Sequence, residues 1–236
     1  MKLLRTTLLS LFFLFMNYTF NANAQDWANL NRFQEANSEV GLPKTNEDRV
    51  VFMGNSITQG WIERIPDFFD NPNYINRGIS GQTTPQMLLR FRQDVLKLYP
   101  KVVIILAGTN DIAGNTGPST LEMIEDNLYS MAELAKAHNI EVVLCSVLPV
   151  FDYPWKTGLE PADKIIELNE RIKNYANTHG FVYADYFTPM ADERNGLKEE
   201  YTFDGVHPTA DGYAVMAPIA EKAIARALIL WSNNNK

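Results

Sequence analysis

Apolar positions along the chain follow two alternating rhythms. Five short runs, Arg49-Val50-Val51-Phe52-Met53, Tyr74-Ile75-Asn76-Arg77, Lys101 to Leu106, Glu141 to Val147 and Phe181 to Tyr186, are rich in β-branched and aliphatic residues and nearly continuous. Runs of this length and composition predict strands. Between them the apolar residues recur every three or four positions: Met87, Leu88, Phe91, Val95 and Leu98, then Leu121, Ile124, Leu128, Met131, Leu134 and Ala135. A last stripe, from about Thr209 to Leu230, carries Tyr213, Met216, Ile219, Ala220, Ala223, Ala227 and Leu230. These spacings predict helices. His138-Asn139 and His179-Gly180 close two of them just before the next strand, as Asn and Gly close a last helical turn.

Strands that are apolar throughout and separated by helices imply a parallel sheet covered on both faces, so the predicted fold class is α/β. No internal repeat, low-complexity tract or long linker divides the chain, and one domain over residues 25–236 is expected. Residues 25–48 precede the first strand and predict a helix over Asn29 to Glu39 followed by an extended lead-in.

Residues 1–24 read as an address. Lys2 and Arg5 precede the apolar run Leu8 to Met16, and Ala22-Asn23-Ala24 supplies the small-x-small pattern of a cleavage site. The run is shorter than the roughly 20 residues of a membrane span, which favours a signal peptide and export, periplasmic or extracellular, over an uncleaved anchor. Gln25, not a cysteine, stands directly after Ala24, which argues against a lipoprotein.

Removing residues 1–24 takes away Lys2 and Arg5 and no acid, so the net charge goes from −7 to −9. With no run of Lys and Arg in the remainder, neither nucleic acid nor an anionic membrane surface is an expected partner. The single cysteine, Cys145, lies in an apolar run and reads as a buried, inert thiol. No phosphate-binding loop, zinc motif or complete dinucleotide fingerprint is present, so no cofactor and no metal is expected.

Candidate chemistry gathers at the strand ends. The first three strands are followed by Gly54-Asn55-Ser56-Ile57-Thr58-Gln59-Gly60, Gly78-Ile79-Ser80-Gly81-Gln82-Thr83-Thr84 and Gly108-Thr109-Asn110-Asp111. In a doubly wound sheet of order 2-1-3-4-5 these loops leave one edge as neighbours, where such folds bind ligands. A serine opening a helix there presents its hydroxyl and a free backbone N–H. The N–H of Ser56, the N–H of Gly78 and the side-chain amide of Asn110 could surround an oxygen that turns negative when an ester carbonyl is attacked.

Serine needs a base, and the chain has three histidines. His138 and His179 belong to the opposite edge of the sheet. His207 follows the last strand, three residues after Asp204 with Gly205 between, a spacing that folds the carboxylate onto the imidazole. Ser56, His207 and Asp204 are therefore the expected nucleophile, base and orienting acid.

These blocks resemble the SGNH hydrolases, or GDSL-type esterases, whose conserved blocks supply a serine, a glycine, an asparagine and a histidine. The matching stretches are Gly54-Asn55-Ser56-Ile57, Gly78, Gly108-Thr109-Asn110-Asp111 and Asp204-Gly205-Val206-His207-Pro208. The resemblance implies a three-layer α/β/α sandwich with a five-stranded parallel sheet, and the roles above for Ser56, Gly78, Asn110, Asp204 and His207. Asn55 and Ile57 depart from the aspartate and leucine usual in the first block.

Each of these residues also has a simpler use: Ser56 as a helix cap, Asp204 and Gly78 as turn residues, Asn110 as a brace of its own loop. Asp111 reads as a structural partner of its own loop or of the following helix. The aromatic loop Pro149 to Trp155 either walls a substrate pocket or plugs onto the body of the protein, and the same choice holds for Gln59 and Trp61. Asn55, Gln59, Trp61, Tyr153 and Trp155 are thus candidate substrate-lining residues. The reading is an exported esterase of short acyl groups, acetyl on carbohydrate being favoured, with a small-molecule or glycan ester as partner and no stable membrane anchor. Its rivals are a lysophospholipase or thioesterase of longer acyl chains and an inactive glycan-binding module.

Overall fold

A computed structural model describes residues 26–235, so the expected leader lies outside the described residues. Five strands, β1 (Val50–Gly54), β2 (Tyr74–Gly78), β3 (Val102–Leu106), β4 (Glu141–Cys145) and β5 (Val182–Ala184), form one sheet of order β2-β1-β3-β4-β5. Every neighbouring pair is parallel. The α/β class, the strand count and the order all match expectation. Gly54 lies level with Gly78 on one side and Leu106 on the other, so the first three strands end at one height and release their loops together.

Alternation along each strand splits the core in two. Val51, Met53, Val103, Ile105, Val142 and Leu144 pack under α3 (Thr84–Asp94), α5 (Leu121–Lys136) and α6 (Ala162–His179), once α1 (Gln34–Val40), α2 (Ser56–Arg64) and the one-turn α4 (Thr109–Ile112) are counted in chain order. Val50, Phe52, Ile104, Val143 and Cys145 face the other way, against α2 and the long C-terminal helix Ala210–Asn234, which is α8 after the short α7 (Phe187–Met190). The result is three layers.

Helix ends follow local chemistry. Thr83 and Gln86 close a reciprocal capping box at the start of α3, and Thr120 and Thr209 cap α5 and α8 through their hydroxyls. Asn139 and Gly180 take the left-handed conformation that stops α5 and α6 before β4 and β5.

Two expectations need correction. The first helix runs from Gln34 to Val40 rather than from Asn29, because the Asp26 carboxylate accepts the N–H groups of Leu30 and Asn31 and Asn29 sits at φ 54°, which holds the chain in turns until Phe33. The fourth and fifth strands stop at Cys145 and Ala184, since the Ser146 hydroxyl accepts the N–H groups of Tyr186 and Phe187 at 2.8 and 2.9 Å and peels both chains from the ladder.

Candidate active site

Ser56 is the first residue of α2. Asn55 caps the helix, its Oδ1 accepting the Ile57 N–H at 3.0 Å, so an amide does here what a carboxylate would also do. Placed there, Ser56 keeps a backbone N–H with no partner inside the helix. Its Oγ lies 2.9 Å from Nε2 of His207.

The histidine sits in a tight turn over residues 202–208. Thr202 Oγ1 donates to the His207 carbonyl at 2.8 Å and accepts from Gly205 N at 2.9 Å. Gly205 supplies φ 84°, a left-handed backbone that suits glycine. Asp204 uses both oxygens: Oδ1 accepts the N–H groups of His207 (2.7 Å) and Val206 (2.9 Å), and Oδ2 faces His207 Nδ1 at 2.7 Å. Partial burial works against the charge of this carboxyl, but the His207 and Val206 N–H groups and the imidazole outweigh it and hold its pKa below the usual carboxylate range. Both side chains are one-quarter exposed.

The other two histidines stand apart. His138 and His179 each turn Nδ1 onto a carbonyl one helical turn back, Leu134 and Tyr175, where α5 and α6 end and the next strands begin. That is the far edge of the sheet.

Gly78 is required by contact. A Cβ there would stand 2.2 Å from the Gln59 nitrogen, so only glycine lets the end of β2 pass against α2. Its N–H, expected to point at substrate, donates to Asn76 Oδ1 at 2.9 Å, while Asn76 Nδ2 donates to the Thr58 carbonyl at 2.6 Å. Asn110, in α4, donates one amide hydrogen to the Gln82 carbonyl at 2.9 Å, which leaves its second amide hydrogen. Asp111 braces its own loop through a hydrogen bond from its own backbone N–H, and it also reaches beyond that loop. Its carboxylate accepts from Thr84 N at 2.9 Å and Thr84 Oγ1 at 2.6 Å, tying the β3 loop to the start of α3. Burial pushes its pKa up to about 6 against these hydrogen bonds.

A cleft of about 280 Å³ opens at Ser56 and His207, lined also by Gln59, Gly60, Glu63, Arg64, Ser80 and Phe203. Gln59 holds it together, its Oε1 accepting the Ser80 N–H at 2.9 Å. Three expected lining residues are elsewhere. Trp61 is 2% exposed and stacks on Tyr213 and Phe68 in the core, because its position in α2 points under the sheet. Tyr153 is wholly buried, its hydroxyl bonded to the Thr109 carbonyl at 2.9 Å, so this half of the aromatic loop is a plug. Asn55 is buried as the cap just described.

Trp155 stays at the surface. Its ring is 46% exposed and lies 6.0 Å from the His207 ring. Phe203, which no sequence motif singles out, is 57% exposed and stacks on the His207 ring at 5.8 Å and 15°, with the Arg64 guanidinium 4.8 Å from its own centre. Arg64 and Glu63 are likewise additions from the structure. Their signal in the sequence is helical spacing, since positions 56, 60, 63 and 64 share one face of α2. Cys145 is buried, its thiol pushed up to about 12 by desolvation, and has no place in the cleft. Among the described residues no cluster of His, Cys, Asp and Glu could hold a metal ion, and no helix is long and apolar enough to cross a membrane.

The chain is 48% identical to a GDSL-like lipase from Bacteroides thetaiotaomicron VPI-5482, whose solved structure it matches with a TM-score of 0.83 over 85% of this chain and 98% of that one. A structure from Bacteroides fragilis NCTC 9343 is also 48% identical, with a TM-score of 0.85 over 86% and 99% of the two chains. Among curated proteins it is 26% identical to the acetylxylan esterase of Xylanibacter ruminicola, over 78% of this chain and 45% of that protein. It is 35% identical over 85 residues to the Bacillus subtilis lipoprotein YqeF, 35% of that protein's length, so the chain spans less than half of these two relatives. Residues 52–215 match the GDSL-like lipase/acylhydrolase family. The chain belongs to that family of ester hydrolases.

Proposed function

We propose that the protein is an exported serine esterase that removes short acyl groups, acetyl in the first place, from carbohydrate. The observation that carries this reading is the continuous chain Ser56 Oγ, His207 Nε2, His207 Nδ1, Asp204 Oδ2, with gaps of 2.9 and 2.7 Å. In the reaction His207 takes the Ser56 proton as Oγ bonds to the ester carbon, and the carbonyl π pair moves to oxygen. The Ser56 N–H and the second amide hydrogen of Asn110 meet that oxygen. Gly78 joins them when its N–H swings from Asn76 to the substrate. The imidazolium, held by Asp204, then gives its proton to the departing alcohol. Water, activated by the same base, releases the acid from the acyl-serine and restores Ser56.

Cleft size and lining support a short acyl group. A space of about 280 Å³ edged by Gln59, Glu63, Arg64 and Ser80 would set a long alkyl chain against charged and polar groups. The leaving alcohol departs on the His207 side, where Trp155 and Phe203 offer exposed rings on which a sugar can stack. Similarity to an acetylxylan esterase points the same way. Export rests on the basic, apolar and small-residue pattern of residues 1–24.

Rates on p-nitrophenyl esters from acetate to palmitate, together with acetate release from acetylated xylo-oligosaccharides, test the reading. Acetate should be the fastest ester and should be released from the oligosaccharide. A maximum at long chains would replace this substrate class by lipids or thioesters.

A further inference from the structure

Arg90 lies in α3, fully buried, and its guanidinium makes three directed contacts. Nη2 donates to the Gly54 carbonyl at 3.0 Å, Nε to Gln82 Oε1 at 2.5 Å, and Nη1 to Asp94 Oδ2 at 3.1 Å. Each contact leads to a loop of the cleft. Gly54 ends β1, two residues before Ser56. The backbone carbonyl of Gln82 holds Asn110. Asp94 also accepts from Asn37 Nδ2 at 2.7 Å, and Asn37 Oδ1 in turn accepts from Nε of Arg77 at 2.8 Å, the residue before Gly78. The N-terminal segment closes the network from outside, through Asn37 of α1 and through the Ala28 carbonyl, which accepts Gln82 Nε2 at 2.7 Å.

A buried ion pair contributes little to stability that packed apolar side chains of the same size would not. The fork of Arg90 does something those side chains cannot: it fixes three separate segments of chain at set distances. We propose that Arg90 is a positioning residue for the oxyanion donors, holding the loops of Ser56, Gly78 and Asn110 in register, and that residues 26–40 seal it in place. This rests on the serine-esterase reading above.

The test uses Gln82→Leu, which keeps the Arg90–Asp94 pair, and Arg90→Lys, which keeps the charge but not the fork. Thermal melts establish folding. The readouts are kcat and KM on p-nitrophenyl acetate and the inhibition constant of phenylboronic acid, whose tetrahedral serine adduct places an oxygen among the donors. Displacement of the donors by a fraction of an ångström predicts kcat down by about ten- to a hundredfold, KM within about twofold, and boronate inhibition weakened in step with kcat. A third variant, Arg90→Gln, which keeps neither the charge nor the fork, should retain less activity than Arg90→Lys. Folded variants with unchanged kcat and unchanged boronate inhibition overturn the proposal. So does failure of both Gln82→Leu and Arg90→Lys to fold, which would make the network purely structural. A wild-type protein that hydrolyses no ester and takes no fluorophosphonate overturns the serine-esterase reading itself, an outcome separate from equal reactivity of wild type and variants.

Discussion

Asp204 grips His207 from two directions, one carboxylate oxygen on its backbone N–H and the other on Nδ1, both at 2.7 Å. One side chain therefore sets both the place and the tautomer of the imidazole, and Nε2 is left to face Ser56. The turn and the Ser56–His207–Asp204 geometry are the same object.

Asp204→Asn should separate the two roles. The amide oxygen can still accept the backbone N–H groups, so the turn should form, but the wrong tautomer is favoured and kcat should fall by about a thousandfold or more. Steady-state kinetics on p-nitrophenyl acetate, with a melting curve as control, checks this.

The same carboxyl predicts a pH dependence of stability. Its folded pKa lies below the usual value of about 3.9, so its contribution is full above that value and lost as pH falls through the lower folded one. The gap in melting temperature between wild type and Asp204→Asn should close in that acid window.

Asp111 should show the opposite sign. Its pKa is raised to about 6, so its contribution is full below about pH 4 and is lost as pH rises through about 6. Asp111→Asn can keep an acceptor for Thr84, and its melting temperature relative to wild type should rise between pH 4 and 6.

Gly78→Ala should damage fold and catalysis together, because the methyl would meet backbone at 2.2 Å. A loss of about 1–3 kcal/mol or more in chemical denaturation, with reduced activity at temperatures where the variant is still folded, is the expected result.

The aromatic residues divide by burial. Trp155→Ala and Phe203→Ala should raise KM for acetylated oligosaccharide by about tenfold, with little change in stability or in kcat on p-nitrophenyl acetate. Trp61→Ala should lose about 3–5 kcal/mol of stability, since it empties a core site shared with Phe52, Phe68 and Tyr213.

Much of this arrangement is legible in the order of residues alone. Continuous apolar runs such as Val102 to Leu106 suit central parallel strands, and a glycine at or just past the end of each of the first three strands marks where the chain turns at one edge. His207 stands out because His138 and His179 fall just before strands. What pattern cannot give is direction in space. Trp61 near Ser56 reads equally as wall or core until the face of α2 is known, and Tyr153 and Trp155, two residues apart in one loop, have opposite fates. Arg90 escapes notice because a charged residue in an amphipathic helix ordinarily faces water. Its spacing with Met87, Phe91 and Asp94 on the buried face is the signal the sequence does carry.

Where a covalent probe reacts decides most sharply whether Ser56 is the nucleophile. The protein is treated with an active-site fluorophosphonate and the adduct is mapped by peptide mass spectrometry. One adduct is expected, on Ser56, absent from Ser56→Ala and formed far more slowly by a folded His207→Ala variant. Label on another residue, or none on a folded wild-type protein, would contradict the assignment.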